Sequence, residues 1–305
     1  MLESFSPGTM AKLGLDYATV SAGRPELIML SASLLGQSGP MADFAGFGQQ
    51  GVGLAGISTV TGWPGRRPIN LGAYTDVVAP KYGIAALAAA VHRRRQTGRG
   101  VHLDLAQVEA SIRFIEPLVL DQTVNGRTAT PVGLDSPVAA PHGAYPVAGH
   151  RRWIAVAVET PEQWRALCGM APLSDFSGPE FDELERRRAS ADGIDAALSE
   201  WTKKHDGAAL EARLCGAGIP AAVVARTSEA AADDQLWQRG FFVAHDHPAM
   251  GPCHYEAQPT AFAGSASGPH APAPCLGQHT DHVLVDLLGY PAAEVAALRA
   301  AGALD

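Results

Sequence analysis

The segment Leu71-Gly-Ala-Tyr-Thr-Asp76 carries the carboxylate whose setting points most directly to chemistry. A long apolar helix pattern follows it at once, and then Thr97-Gly-Arg-Gly100. No partner acid, base or metal ligand stands beside it. An aspartate at such a place has two readings. It can cap the helix, since Asp is among the best N-cap residues. It can also be a carboxylate nucleophile, held where the helix dipole favours negative charge and where backbone N–H groups can stabilise an oxyanion. A carboxylate is a weak nucleophile and must be ionised and positioned to act. The amides of Val77 or Val78 would then help to hold the oxyanion.

The elements around Asp76 follow from periodicity. Glu26–Ser33 reads as a buried strand after the turn residues Gly23-Arg-Pro25, and Gly36–Pro40 as a loop. Ala45–Val60 is Gly-rich and weakly helical, and Gly62-Trp-Pro-Gly65 turns the chain. Val77–Arg95 carries Ile84, Leu87, Ala88 and Val91 at helical spacing, and Gly98 and Gly100 stop it. Val101–Leu105 alternates as a strand does, and Ala106–Leu120 resumes helix. This alternation predicts an α/β layer. The shift to Gly, Pro, Thr and Asp between Asn125 and Pro141 reads as a domain junction. Strands are then expected at Gly143–Val147, Trp153–Val158 and Ala221–Ala225, and helices near Ile194–Lys204 and Gly207–Ala217. Thr160-Pro-Glu-Gln163 is a helix start with a cap, a proline at the first position and Gln at the third. Ser228 is expected to cap a short helix, Gly264–Pro274 to be a linker, and Asp281–Leu288 and Ala292–Ala301 to be the last helices.

Composition excludes several function classes. The formal net charge of −8 argues against general nucleic-acid binding, which needs a basic surface. The basic run His92–Arg95 ends a helix, where cations complement the dipole. No apolar run reaches the roughly 18 residues of a membrane span, and the first residues have neither the basic nor the apolar region of a signal peptide. Cys168, Cys215, Cys253 and Cys275 are scattered and read as reduced thiols of a cytoplasmic protein. His245, His247, Cys253 and His254 match no structural zinc spacing, and Pro248, Gly251 and Pro252 break any helix that could align them. His279 and His282 beside Asp281 fit a metal site no better, so no metal is expected.

With these elements in place the chain resembles the family III CoA-transferases, the CaiB/BaiF type, over essentially its whole length. The markers run in order from Glu3-Ser-Phe-Ser-Pro-Gly8 and Leu13-Gly-Leu15 through Gly36–Pro40, Gly72–Asp76 and Thr97–Gly100. They continue with Gly143-Ala-Tyr-Pro146, Trp164-Arg-Ala-Leu167 and Ala217-Gly-Ile-Pro220. Arg239-Gly-Phe-Phe242, Leu276-Gly-Gln-His-Thr280 and Leu298-Arg-Ala-Ala-Gly302 complete them. Each is weak alone, and their order makes them specific. The resemblance implies an interlocked α/β fold with an incomplete Rossmann-like large domain and a smaller α+β domain. The expected division is residues 1–125 as the large domain, 126–235 as the small one and 236–305 as a return segment. It implies CoA transfer from an acyl-CoA to a carboxylic acid through aspartyl anhydride and aspartyl-CoA thioester intermediates. Asp76 then occupies the nucleophile's place. Ser4 and Phe5 stand where the family's Asn-Phe pair lines the CoA pocket, Lys12 where a basic residue meets a CoA phosphate, and Phe47 where a Tyr is common near the pantetheine. Coenzyme A enters as thioester substrate, with no permanently bound cofactor. The plain alternatives are a solvated helix face for Lys12 and core packing for Phe5 and Phe47.

Three departures from the family pattern stand out. About ninety residues that ordinarily precede this segment, judged by domain size, are expected on another polypeptide or lost. Thr75 stands where the family has Gly before the nucleophile. The Gly-rich lid loop is not obvious, and Pro131–Pro137 is the candidate for its place. Two other functions compete with transfer. One is a non-catalytic subunit or half-enzyme of a split transferase. The other is an α-methylacyl-CoA racemase, for which the His expected near Ala45–Gly48 is replaced by Phe47. The strands at Glu26–Ser33 and Val101–Leu105 are expected to lack covering neighbours. At about 25 cal/mol per Å² such exposure would cost a large part of a typical stability of about 5–15 kcal/mol. A homodimer, or a heteromer with a chain that supplies the missing half, is therefore expected. Light scattering of the purified chain should show an assembly, and a monodisperse monomer would refute it.

Overall fold

The structure, a computed structural model, describes residues 1–264 and 268–304. The chain divides into two compact units, Met1–Val223 and the segment from Val224 onward.

The first unit opens with β1 (Leu2–Glu3), α1 (Thr9–Lys12), α2 (Tyr17–Gly23) and β2 (Ile28–Ser33). It continues with α3 (Gly48–Leu54), α4 (Ile57–Val60), α5 (Tyr74–Thr97) and β3 (Val101–Ala106). The three strands form a parallel sheet in the order β1-β2-β3, with Leu30 paired to Leu2 on one side and to Leu103 on the other. β2 is thus central, with both edges paired, and the expectation that it lacks neighbours is corrected. Its partner β1 is only two residues long, too short to show a period. The apolar run Ile28-Met29-Leu30 is buried, as a central parallel strand requires. β3 alternates instead, with exposed His102 and Asp104 on one face. Tyr17 stacks on His102 at 5.2 Å, and Asp104 accepts the Gln37 amide at 3.0 and 3.1 Å. Those two contacts tie down the segments on either side of β2.

Helix α5 lies against the sheet at Gly83, where a Cβ would stand 3.3 Å from the side chains of both Leu30 and Leu105. It ends at Gly98, whose φ of 69° is the left-handed cap that glycine adopts without strain. At Gly100 a Cβ would collide with the Leu27 carbonyl, so entry into β3 requires glycine. After β3 the chain enters α6 (Gln107–Ile112), a 3₁₀ turn at Arg113–Ile115 and α7 (Glu116–Asn125).

The rest of the first unit is built on β4 (His142–Pro146) and β5 (Trp153–Ala157), then α8 (Pro161–Cys168), α9 (Leu184–Ala189), α10 (Ala191–Thr202), α11 (Gly207–Gly216) and β6 (Ala221–Val223). The strands are antiparallel in the order β4-β5-β6. The capping box expected at Thr160 is present, Thr160 Oγ1 accepting from the Gln163 amide and Gln163 Oε1 accepting from that of Thr160. Trp164, Leu167, Ile194, Leu198, Leu210, Leu214 and Ile154 form the core here. Arg187 is buried with them, donating to the carbonyls of Ala140, Phe181 and Asp182 at 2.6–2.9 Å.

The second unit contains α12 (Thr227–Ala231), α13 (Asp234–Gln238), the hairpin β7 (Phe242–His247) and β8 (Gly251–Glu256), a π-type segment at His282–Leu287, and α14 (Ala292–Ala300). Ser228 lies inside α12 and does not cap it, the flanking position being Arg226. The hairpin was not legible, because Pro248, Gly251 and Pro252 read as breakers when in fact they make and follow its turn. His247 accepts the amides of Ala249 and Met250 at Nδ1, both at 3.1 Å, which holds that turn. His245 faces Cys253 in register, its Nε2–H donating to the Pro269 carbonyl at 2.9 Å, while His254 stands edge-on to Trp237. Among the described residues no group of three or more His, Cys, Asp or Glu is placed to hold a metal ion. None of their helices is long and apolar enough to cross a membrane. Of the linker expected at Gly264–Pro274, residues 265–267 lie outside the described residues.

Tyr145 donates to Asp195 Oδ1 at 2.6 Å within the β4–α10 contact. Burial pushes the Asp195 carboxyl above its ordinary value, and the Tyr145 hydroxyl opposes part of that rise. A carboxyl whose folded pKa is raised binds its proton more tightly in the folded state. Its contribution to stability is therefore full below the unfolded pKa and falls as pH rises through the folded one. Asp195→Asn should flatten the decline of melting temperature with pH in that window. An unchanged slope in calorimetry would place the burial cost elsewhere.

Candidate active site

Asp76 is the third residue of α5 and not its cap. Ala73 flanks the helix, and the Asp76 N–H donates to the Ala73 carbonyl at 3.0 Å. The helix thus starts three residues before the expected Val77, after a turn at Gly72 (φ 63°) in which Asn70 Oδ1 accepts the Gly72 amide at 2.8 Å. This adds to the candidate oxyanion donors. Helix geometry leaves the first-turn amides of Tyr74 and Thr75 without ladder partners, beside the Val77 amide expected from the sequence. Pro80 stands four residues after Asp76 inside the same helix. It has no N–H to return to the Asp76 carbonyl, so the turn that carries Asp76 lacks one ladder bond.

A glycine face on α3 brings a second helix against this turn. A Cβ on Gly48 would lie 2.8 Å from Ala73 Cα and 2.8 Å from Asp76 Oδ2. One on Gly51 would lie 2.8 Å from Leu34 Cδ1 and 2.9 Å from Thr75 Cγ2. The weak helicity of this stretch is the cost of that approach, since glycine loses the most backbone entropy on folding. Thr75 is fully buried between the helices, and its Oγ1 donates to the Gly48 carbonyl at 3.3 Å. Thr75 therefore fills the helix contact.

The two oxygens of Asp76 differ. Oδ1 accepts from Gln107 Nε2 at 2.9 Å, with Thr75 Oγ1 at 3.5 Å. Among the described residues Oδ2 receives no hydrogen bond, and it lies against Gly48. Asp76 itself is exposed.

The carboxylate opens into a cleft of about 370 Å³ at the carboxyl ends of the parallel strands. Ser4 and Phe5 follow β1, Ala32 and Ser33 end β2, and Gln107 follows β3; Phe44, Phe47 and Gly48 come from the segment that leads into α3. Ligands of open α/β sheets bind at such strand ends. The structure therefore brings Ser4, Phe5, Phe47 and Asp76 to one cleft, and Lys12 is not among its lining residues. Lys12 lies exposed in the last turn of α1. Phe47 is 82% exposed and Phe5 54%, so neither packs in the core. Gln107 was missed. The available signal was a polar side chain placed directly after the alternation of β3 ends. Other cavities of the first unit lie apart from Asp76. One, of about 100 Å³, is lined by Asp135, His142, Arg188 and Asp195, and an apolar groove of about 460 Å³ runs along Ala144, Ala155 and Ala222.

The family model for CoA-transferase family III matches residues 1–280. The chain belongs to the family III CoA-transferases. Among curated proteins this transferase is 27% identical over 302 residues to a succinyl-CoA–D-citramalate CoA-transferase of Chloroflexus aurantiacus, covering 98% of this chain and 75% of that one. It is 28% identical over 302 residues to a probable CoA-transferase of Mycobacterium tuberculosis, covering 95% of this chain and 38% of that one. Among solved structures it matches a CaiB/BaiF family protein from Brucella suis with a TM-score of 0.85 and 26% identity, over 94% of this chain and 74% of that one. The transferase thus has the CaiB/BaiF fold expected from its motifs.

Gly48→Ala should lower stability by about 1–3 kcal/mol, the usual cost of overpacking. At Gly53 of the same helix a Cβ would meet nothing within 4 Å, so Gly53→Ala should instead stabilise by about 0.5–1 kcal/mol. Equal effects of the two in thermal unfolding would contradict the glycine-face contact.

Proposed function

We propose that this transferase moves CoA from an acyl-CoA thioester to a carboxylic acid, with Asp76 as the nucleophile. The observation that carries this reading is the asymmetry of the carboxylate. Oδ1 is held by Gln107, and Oδ2 is left open beside the cleft. Oδ2 attacks the acyl carbon, forming an O–C bond, and CoA leaves as thiolate with the electrons of the C–S bond. The thiolate then attacks Cγ of Asp76, and the substrate's carboxylate leaves with the electrons of the Cγ–Oδ2 bond. An acceptor carboxylate repeats both steps in reverse order. The cycle balances with the two acids, CoA and one aspartate.

Ser4, Phe5 and Phe47 would meet the CoA chain at the cleft rim, and Lys12 would reach a phosphate from outside it as a point charge. The exposure of both rings supports ligand contact over core packing. Among the described residues no histidine lines the cleft, which supports transfer over proton exchange α to a thioester. Exposed Leu118, Val119, Leu120 and Val124 on α7 support burial against a second chain, either a copy of this one or a separate subunit.

Incubation with succinyl-CoA, the donor named for the Chloroflexus relative, followed by hydroxylamine and peptide mapping, should place the hydroxamate on Asp76. Asp76→Asn should retain the fold and lose nearly all turnover. Full activity of Asp76→Ala would end the nucleophile assignment.

A further inference from the structure

We propose that Gln107 is the oxyanion donor for the half of the cycle in which the carbon under attack belongs to Asp76 itself. The inference rests on the nucleophile reading above and adds a division of labour to it. Each turnover contains two kinds of attack. In the first and last steps the reacting carbonyl is the substrate's. In the two middle steps it is Cγ of Asp76, struck by the CoA thiolate and later by the acceptor carboxylate. Negative charge then develops on the oxygen that stays with Asp76.

The geometry singles out that oxygen. Oδ2 is open and becomes the bridging oxygen of the anhydride. Oδ1 stays behind as the acyl carbonyl, and Gln107 Nε2 already sits 2.9 Å from it. As sulfur bonds to Cγ, the carbonyl electrons move onto Oδ1. When the intermediate collapses they return, and the Cγ–Oδ2 pair leaves with the substrate's carboxylate. The same N–H points at Oδ1 in the carboxylate, the anhydride, the tetrahedral state and the thioester, so no donor has to reorganise during reaction.

Gln107 is also held for this task. It directly follows β3, whose last residue Ala106 pairs with Ser33 of β2. The next amide, that of Val108, donates to the Leu34 carbonyl at 3.0 Å, and the Val108 side chain is buried. The backbone is therefore fixed on both sides of Gln107, and only its side chain reaches into the cleft. Its amide is neutral. An arginine or lysine there would hold ionised Asp76 as an ion pair and so stabilise the ground state along with the transition state, which gains nothing in rate.

Gln107→Leu and Gln107→Glu test this, with succinyl-CoA as probe and rapid-quench mass analysis of the Asp76 peptide. For Gln107→Leu, formation of the aspartyl-CoA thioester should slow about 100-fold or more, the usual loss for an oxyanion donor. The KM for succinyl-CoA should stay within about threefold, since ground-state binding is untouched. Gln107→Glu keeps the shape and donates only when protonated. Its transfer rate should rise as pH falls through the carboxyl range, a limb absent from the wild-type profile and one that a merely structural role would not produce. Formation of aspartyl-CoA by Gln107→Leu at the wild-type rate, or a wild-type pH profile for Gln107→Glu, would overturn the role of Gln107. Absence of any adduct on wild-type Asp76 would instead overturn the nucleophile reading, so the two failures are distinct.

Discussion

The close approach of α3 to the first turn of α5 is the constraint on which the site depends. Gly48 and Gly51 present no side chain toward Ala73, Thr75 and Asp76, and a Cβ on either would stand closer than 3.0 Å to its neighbours. A helix so rich in glycine would not hold by propensity. It holds because Val52 packs with Ala55, Ile57 and Val108, and because buried Thr75 seals the contact. Stability is thus spent on the one arrangement that sets Gly48 against the open oxygen of Asp76.

The parallel sheet converts that contact into a cleft. Three strands that share a direction end on the same side, and the residue that follows each end lies near the others. Ser4, Ser33 and Gln107 are distant in sequence and come together for this reason alone. Sheet register adds precision, because pairing of Ser33 with Ala106 fixes where Gln107 begins its helix. The Pro80 interruption works at the same end of α5. It removes a ladder bond from the Asp76 carbonyl and leaves the buried face at Val78 and Ala79 intact.

The antiparallel part of the first unit is held differently. Its core contains two tryptophans and many leucines, and it buries Arg187 only by giving the guanidinium three backbone carbonyls. A buried charge without such partners would cost several kcal/mol. This region supplies no lining to the Asp76 cleft. It carries most of the apolar packing that the glycine-rich region lacks.

The sequence by itself determined the family, the α/β alternation, a strand within Glu26–Ser33, the body of the long helix that follows Asp76 and the box at Thr160. All of these rest on local signals, whether periodicity, a cap or an ordered set of short motifs. Several features were not local. β1 has two residues, and its strand character exists only through pairing with β2. The β7–β8 hairpin hid behind prolines and glycines that the turn uses. The start of α5 lies at Tyr74, three residues ahead of the apolar pattern that announces it. Lys12 and Phe5 are seven residues apart, yet only Phe5 lines the cleft. Gln107 carries no motif at all. Its place beside Asp76, across 31 residues, was decided by tertiary structure, because only the folded parallel sheet brings the end of β3 to the first turn of α5.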